Sequence, residues 1–210
     1  MKYNNLNFNL LTQNSKIKKT SKYFNTKLFN FSIIAYKSKE GEITCPFADT
    51  CIKFCYAQKG FYKMSEKFSE AKYQVSKLDI FESEIIKEIK QKKSEYIRVH
   101  DSGDYYSKKY LHKWLNIANQ LKNVKFYSYT NNVKQIKRYY DQNLIPDNFD
   151  FIFSDQGKQR HLIDKKHDRH TKIFQSQKEL DNSQYIDSSN YDLFATKWFN
   201  KSNKVGLLIH

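Results

Sequence analysis

Apolar side chains recur along the chain with two different spacings, and these spacings predict alternating strands and helices. Residues 27–36, KLFNFSIIAY, are rich in β-branched and aromatic side chains and are followed by the polar turn 38–41, which is typical of a strand. Residues 61–93 contain no glycine or proline, and their apolar positions recur at steps of three and four. That period predicts one long or two consecutive amphipathic helices.

The same alternation continues towards the carboxyl terminus. We expect strands at 96–100, 124–129, 149–154 and 205–209, and helices at 107–121 and 133–140. Residues 155–190 are polar and predict no regular element. Because strands that alternate with helices form parallel βαβ units, the expected fold class is α/β. We expect a partial (β/α) barrel, or an open and mostly parallel sheet flanked by helices, with four or five strands.

The distribution of polar residues predicts how the chain is organised. Residues 1–26 are polar with scattered lysines and predict a loose or partly ordered arm, while 27–210 form a single α/β domain with a cysteine-bearing loop at 42–60. The aromatic fraction of 16% is enough for a core and excludes global disorder. No apolar run approaches the ~18 residues of a membrane span, and no signal peptide is evident. We therefore expect a cytoplasmic protein without membrane contact.

The charge balance bears on the partners. There are 37 Lys+Arg against 22 Asp+Glu, a formal net charge of +15. This excess favours nucleic acid or another anionic partner. The lysine excess accompanies abundant Asn, Ile, Tyr and Phe, a composition that AT-rich coding sequences produce. Because codon bias explains part of the positive charge, the charge is a weaker indication of nucleic-acid binding. No P-loop, GxGxxG, GxSxG or HExxH motif occurs, so the classes built on them lack support. The sequence does not indicate an oligomeric state.

All the cysteines of the chain, Cys45, Cys51 and Cys55, lie within 11 residues and are spaced C-x5-C-x3-C. An odd number of clustered cysteines is a poor disulfide framework and is typical of a reducing compartment, where such thiols bind metal or act in catalysis. Three thiolates on one loop predict a shared metal centre. It is either a four-iron cluster with one open iron or a zinc ion with a fourth ligand from elsewhere. The alternative is three separate buried cysteines that act as small hydrophobic side chains.

A second group of reactive side chains, HDSGD at residues 100–104, follows a predicted strand and precedes a helix. Ligands of α/β sheets bind at the carboxyl ends of strands. Gly103 allows a tight turn or a close ligand approach, and His100 is titratable near neutral pH. The cysteine loop also follows a strand, so both groups should lie at one edge of a parallel sheet, together with Thr130 at the end of the next strand. The alternative for both turns is ordinary helix capping.

Three segments, CPFADTCIKFCYA, YIRVHDSGDYYSKKYL and VKFYSYT, together resemble the phage gene product 88-like family. That family pairs a cysteine segment ending in CYA with a strand ending in HDSGD. The resemblance covers roughly residues 28–140, with a fainter match at 197–202, and it implies a phage-type protein in the cytoplasm of the host cell. Relatives often carry further cysteines before the tryptophan at position 198, which are absent here, so a second metal site is not implied.

The layout resembles, more distantly, that of radical S-adenosylmethionine (SAM) enzymes. These enzymes place three cysteines in the loop after the first strand of a partial barrel, with an aromatic residue before the last, as Phe54 stands before Cys55. Their Gly-Gly-Glu-like turn after the second strand binds the amino group of the methionine, and Ser102-Gly103-Asp104 lies in the matching place. The cysteine spacing and the SGD sequence differ from the usual pattern of that family.

This resemblance implies a radical-SAM-like enzyme, or a derivative of one, that acts on an unknown substrate through small-molecule cofactors. The net charge of +15 favours an anionic substrate. Cys45, Cys51 and Cys55 would hold a [4Fe–4S] cluster, with zinc as the alternative metal, and the open iron would chelate SAM. The implied cofactor-binding residues are Phe54, Tyr56, Ser102, Gly103, Asp104 and Thr130. The implied catalytic residues, which bind substrate or move protons, are His100, Asp101 and Asp104. The alternative function is non-enzymatic: a loop stapled by iron–sulfur or zinc in a module that binds nucleic acid or a host protein.

Two further groups of residues carry weaker signals. His161, His167 and His170 lie in a basic stretch that is interpreted as a solvated loop. The alternatives are that His167 and His170 ligate a metal or that the stretch contacts phosphate. The tyrosines that could stack on bases or belong to the core are Tyr105, Tyr106, Tyr127 and Tyr129.

Overall fold

The computed structural model describes residues 8–209, except for the side chains of Phe54 and Phe61. The strands are β1 (Leu28–Phe31), β2 (Tyr96–Val99), β3 (Lys125–Thr130), β4 (Phe149–Phe153), β5 (His170–Phe174), β6 (Ile186–Asp187) and β7 (Lys204–Leu208). The α-helices are α1 (Ser15–Tyr23), α2 (Gly60–Met64), α3 (Glu66–Lys77), α4 (Phe81–Lys92), α5 (Lys108–Gln120), α6 (Val133–Asp141) and α7 (Gln177–Asp181).

Within the described residues, the seven strands form one parallel sheet in the order β1-β2-β3-β4-β5-β7-β6. The sheet curls into a half-barrel that is flanked by helices, so the predicted α/β class with a partial barrel is confirmed. The strands that the sequence predicts from 96 onward agree with the structure within one or two residues. No helix of the described residues is long and apolar enough to cross a membrane.

One face of the sheet carries the larger hydrophobic core against the helices. Phe31, Val99 and Phe126 of the strands are buried there with Trp114 of α5 and Phe81 of α4. The Trp114 ring lies 5.2 Å from that of Phe31 and 5.5 Å from that of Phe81, both in edge-to-face geometry. This packing explains the three- and four-residue periods that predict the helices.

The inner face of the half-barrel is more polar. The strand register places Asn30, Arg98, Tyr127 and Asp150 side by side in one row across β1 to β4. A second, smaller core forms near the start of these strands, where Ile17 of α1 packs with Leu28, Tyr127 and Leu193. The rest of the inner face is left open towards the carboxyl ends of the strands.

The structure differs from the sequence predictions in four segments. The strand predicted at 27–36 ends at Phe31, because the amides of Ile33 and Ile34 that follow it donate to the Ser102 and Ser69 carbonyls instead of to a strand. The predicted loose arm at 1–26 contains α1, which packs on the sheet, while its first seven residues lie outside the described range. The predicted helix at 61–93 is divided into α2, α3 and α4. The unassigned stretch 155–190 contains β5, α7 and β6, so the sheet is larger than the expected four or five strands.

Candidate functional site

A pocket of about 1020 Å³ occupies the inner face at the carboxyl ends of the strands. It brings together most of the residues that the sequence singles out: Cys51, Cys55, Tyr56, His100, Asp101, Gly103, Asp104 and Thr130. Cys45 and Ser102 lie next to this lining rather than in it, and the side chain of Phe54 lies outside the described part of the chain. The cysteine loop and the HDSGD turn therefore meet at one edge of the sheet.

Backbone contacts on two sides hold the cysteine loop in this place. The Asp104 amide donates to the Thr44 carbonyl at 3.0 Å, directly before the first cysteine. Further along, Ala48 pairs with Gly157 in a short antiparallel bridge, and the Thr50 hydroxyl donates to Gln156 Oε1 at 2.8 Å. The loop is thus tied both to the turn after β2 and to the segment after β4.

The thiols share one electrostatic environment but do not form a ready-made metal site. Burial raises the pKa of Cys45 to about 12, and the charges of Asp104 and Cys55 act in the same direction. Burial also raises the pKa of Cys51, again with contributions from Cys55 and Asp104. The Cys45 Sγ accepts a hydrogen bond from the Tyr36 amide at 3.4 Å. Across residues 8–209, no three His, Cys, Asp or Glu side chains are grouped closely enough to hold a metal ion.

Asp101 has one carboxylate oxygen with three donors and one with none. Its Oδ2 accepts from Asn14 Nδ2 at 2.7 Å, from Asn30 Nδ2 at 2.9 Å and from the Tyr62 hydroxyl at 2.9 Å. The Oδ1 is buried and has no hydrogen-bond partner in the described structure. The Tyr56 hydroxyl donates to the Asp101 carbonyl. A buried acceptor without a donor is costly, so this oxygen marks a place where a ligand can supply one.

Asp104 connects the turns that follow β2 and β3. Its Oδ1 accepts from the Tyr105 amide and the Thr130 hydroxyl, each at 2.7 Å, and its Oδ2 accepts from the Asn131 amide at 2.9 Å. Burial raises the pKa of this carboxyl, while the hydrogen bonds from Asn131 and Thr130 act against the shift. Asp104 and Thr130 therefore position the rim of the pocket. A catalytic role for Asp104 stays a prediction.

Ser102 and Gly103 of the turn fit closely against Ile33, in the segment after β1. The Ser102 hydroxyl donates to the Ile33 carbonyl at 2.7 Å. Gly103 has a φ of +79°, and a Cβ placed on it would lie 2.2 Å from Ile33 Cγ1. The turn thus requires a glycine here for conformation and for space.

His100 is buried beneath the pocket among aromatic rings. Its Nε2 lies 2.8 Å from the Tyr110 hydroxyl, and its Nδ1 has no partner in the described structure. Burial lowers its pKa to about 3, and the positive charge of Arg98 acts in the same direction. The imidazole is therefore neutral near pH 7, where it can exchange a hydrogen bond but carries no charge for a ligand.

We expect His100 to make the folded state less stable as the pH falls from about 6.5 to about 3. The unfolded chain takes up this proton near pH 6.5, whereas the folded chain resists protonation down to its own pKa of about 3. The slope attributable to this residue is up to about 1.4 kcal/mol per pH unit. Urea unfolding at several pH values should show a flatter profile for His100→Gln and an unchanged profile for the exposed control His161→Gln. An identical slope in His100→Gln would contradict the assignment.

Three cations on the inner face were not identified from the sequence. Arg98 Nη1 and Lys16 Nζ lie 3.0 Å and 2.9 Å from the two carboxylate oxygens of Asp192. Lys72 of α3 also lines the pocket, is 4% exposed, and has no hydrogen bond or ion pair among the described residues. Lys72 stands three and four residues before Val75 and Ser76, which are buried, so helical periodicity places it on the buried side of α3 and could have identified it.

The weaker histidine candidates lie apart from this pocket, whereas Tyr129 of the tyrosine candidates lines it. His161 and His167 are exposed, whereas His170 is buried, 3.0 Å from the Tyr185 hydroxyl and 2.9 Å from the Asp168 carbonyl. These histidines belong to no metal-binding group among residues 8–209. Tyr105 and Tyr127 are buried in the core, so their rings have no face open to a base.

Comparison with known proteins places the chain in a family but assigns no activity. A family model described as gene product 88 matches residues 9–206. No curated protein matches the chain, and no solved structure does. The similarity to radical SAM enzymes therefore has no support from these comparisons.

Proposed function

The chain belongs to the gene product 88 family, and we propose that it binds an iron–sulfur cluster through Cys45, Cys51 and Cys55 beside a pocket for a SAM-type cofactor. The observation that carries the proposal is the shared pocket of about 1020 Å³, which borders Cys51 and Cys55 as well as Asp101, Gly103 and Asp104. Its volume suits a ligand as large as a nucleoside-based cofactor.

The donor set suits a thiophilic metal. Three thiols within 11 residues supply soft ligands, as iron–sulfur clusters require. A thiol must lose its proton to become a ligand, and burial raises the pKa of both Cys45 and Cys51. Loading therefore releases protons, and affinity for the metal should rise with pH.

The loop must rearrange for the three sulfurs to converge. Among the described residues the thiols do not form a preassembled group. The segment that carries Cys51 and Cys55 consists of two short 3-10 turns, Thr50–Phe54 and Tyr56–Gln58, rather than a long helix. Rearrangement within these turns would bring the sulfurs together while the anchors at Thr44 and Ala48 are kept.

The chain's own residues orient the ligand and control protons at the pocket. A cluster held by Cys45, Cys51 and Cys55 would supply the electron for cleavage of the SAM sulfonium, which is the chemistry implied by a radical-SAM-like site. Asp104 fixes the rim through Thr130 and Asn131, and Gly103 keeps the turn close to Ile33. His100, held neutral by its burial, lines the pocket and has a buried Nδ1 without a partner in the described structure.

Anaerobic reconstitution with iron and sulfide tests this proposal. We expect about four irons and four labile sulfides per chain in the unchanged protein, the content of one four-iron cluster. Cys51→Ser and Cys55→Ser should lose the cluster because each removes a thiolate ligand. The control Lys53→Ser, an exposed residue between them, should keep it.

Two results would count against the proposal. Stoichiometric zinc in protein purified anaerobically would show that the cysteine loop binds a structural zinc ion instead of a cluster, and it would exclude the proposed radical chemistry. Equal iron in the unchanged protein and in both cysteine variants would show that the loop holds no metal. A third result would contradict only the enzymatic part of the proposal. The reconstituted protein would bind SAM but produce no methionine or deoxyadenosine on reduction, so it would be a cluster-binding protein that does not cleave SAM.

A further inference from the structure

The geometry points to Asp101 and Lys72 as a binding site for a zwitterionic head group, an ammonium next to a carboxylate as in an α-amino acid. Both residues line the pocket of about 1020 Å³. The ammonium of the ligand would donate to Asp101, and its carboxylate would accept from Lys72. Neither contact depends on a metal, so this inference stands apart from the proposed cluster.

Asp101 provides the acceptor. Three side chains donate to its Oδ2, which fixes the orientation of the carboxylate, while its Oδ1 has no donor although the residue is 5% exposed. A preorganised carboxylate oxygen of this kind is a strong partner for an ammonium group. Binding of a cation also removes the cost of an unsatisfied buried acceptor.

Lys72 provides the donor. Its Nζ lies 5.9 Å from the centre of the Phe31 ring, and it makes no hydrogen bond or close ion pair among the described residues. Burial lowers its pKa to about 8, whereas the negative charges of Asp101 and Glu88 act to raise it. Lys72 and Asp101 are thus near enough to interact, and the lysine keeps most of its charge near pH 7. A buried ammonium without a hydrogen-bond acceptor favours a ligand that supplies one.

The remaining charges of the inner face favour a zwitterion over a simple anion. Arg98 and Lys16 already share Asp192, so they are neutralised in part by the protein itself. Lys72 and the Asp101 Oδ1 offer the pocket a charged donor and a charged acceptor without hydrogen-bond partners among the described residues, beside the unpartnered Arg98 Nε, His100 Nδ1, Tyr129 hydroxyl and Asn131 Oδ1. Apolar side chains further along the lining, including Phe68 and Leu207, can cover the body of a larger ligand.

Calorimetry on metal-free protein with three probes tests the inference. The probes are L-methionine, its methyl ester, which lacks the carboxylate, and N-acetyl-L-methionine, which lacks the ammonium. We expect L-methionine to bind at least about tenfold more tightly than either derivative, because each derivative loses a charged hydrogen bond. Equal affinity for the three probes, or no binding of any of them, would overturn the site.

Variants assign each charge to its partner. In Lys72→Met, the preference for L-methionine over its ester should disappear, while the preference over the N-acetyl form remains. In Asp101→Asn, the preference over the N-acetyl form should disappear, while the preference over the ester remains. The exposed control Lys87→Met should keep both preferences. A preference over the ester that survives in Lys72→Met would overturn the assignment. If a variant does not fold, the three probes on the unchanged protein still decide whether the site exists.

SAM, as a fourth probe, distinguishes the two possible sources of the head group, a SAM-type cofactor and a free amino acid. SAM carries an α-amino-acid end, and its assignment as the ligand rests on the proposed function. Tighter binding of SAM than of L-methionine to metal-free protein would assign the site to a cofactor, and equal affinity would assign it to a free amino acid. Because iron is absent from this assay, failed cluster loading leaves its outcome unchanged.

Discussion

Replacing Gly103 with alanine should destabilise the protein by about 3 kcal/mol or more, through two costs that add. Gly103 has a φ of +79°, a conformation that side-chain-bearing residues rarely adopt. The added methyl group would also lie 2.2 Å from Ile33 Cγ1 and 2.9 Å from Ile33 Cδ1. Since Ile33 is fully buried, it has little freedom to move away. Chemical denaturation of purified protein measures the loss.

Gly60→Ala separates these two costs. Gly60 also has a positive φ, +50°, but a Cβ there would meet nothing within 4 Å. We therefore expect this control to lose about 1 kcal/mol, from backbone strain alone. The difference between the two variants measures the steric fit of the turn. If both lose the same free energy of unfolding, the close contact between Gly103 and Ile33 is contradicted.

Asp192→Asn should cost about 3–5 kcal/mol, because it leaves two partly or fully buried cations without their counter-charge. Asp192 is fully buried, lies 3.0 Å from Arg98 Nη1 and 2.9 Å from Lys16 Nζ, and accepts from the Tyr127 hydroxyl at 2.7 Å. Although burial acts to raise its pKa, Arg98 and Lys16 together lower it to about 2. The isosteric amide retains the volume and removes the charge.

The control for this prediction is Asp79→Asn, which breaks an exposed ion pair with Lys109 at 3.6 Å. Such a pair contributes little, so we expect a change below about 1 kcal/mol. Removing one buried cation together with the anion, in the double variant Lys16→Met with Asp192→Asn, should recover part of the loss. A double variant as unstable as the sum of its single changes would contradict the shared ion pair.

The sheet was predictable because most of its strands are short apolar runs next to clear turns. The segments YIRVH and FDFIFS are buried on both sides of a parallel sheet and stand out from their polar surroundings. β5 was missed because His170, Thr171 and Lys172 give it a polar sequence, although its first two residues are buried. α1 was missed because it buries only Ile17 and Thr20 in an otherwise polar stretch.

The site was predictable only in part. The cysteine loop and the HDSGD turn follow strands, so their meeting at one sheet edge follows from parallel topology. Lys72 and Asn14 enter the same pocket from helical and N-terminal segments, and no local pattern places them there. Their positions depend on how α1 and α3 pack on the sheet, which is a property of the whole fold.

X-ray absorption at the iron edge of protein purified without oxygen measures the ligands of the proposed centre. We expect a first shell made of sulfur and a second shell of neighbouring iron atoms, both lost in the triple variant of Cys45, Cys51 and Cys55 to serine. A first shell of oxygen and nitrogen, unchanged in the triple variant, would contradict a thiolate-bound cluster at this pocket.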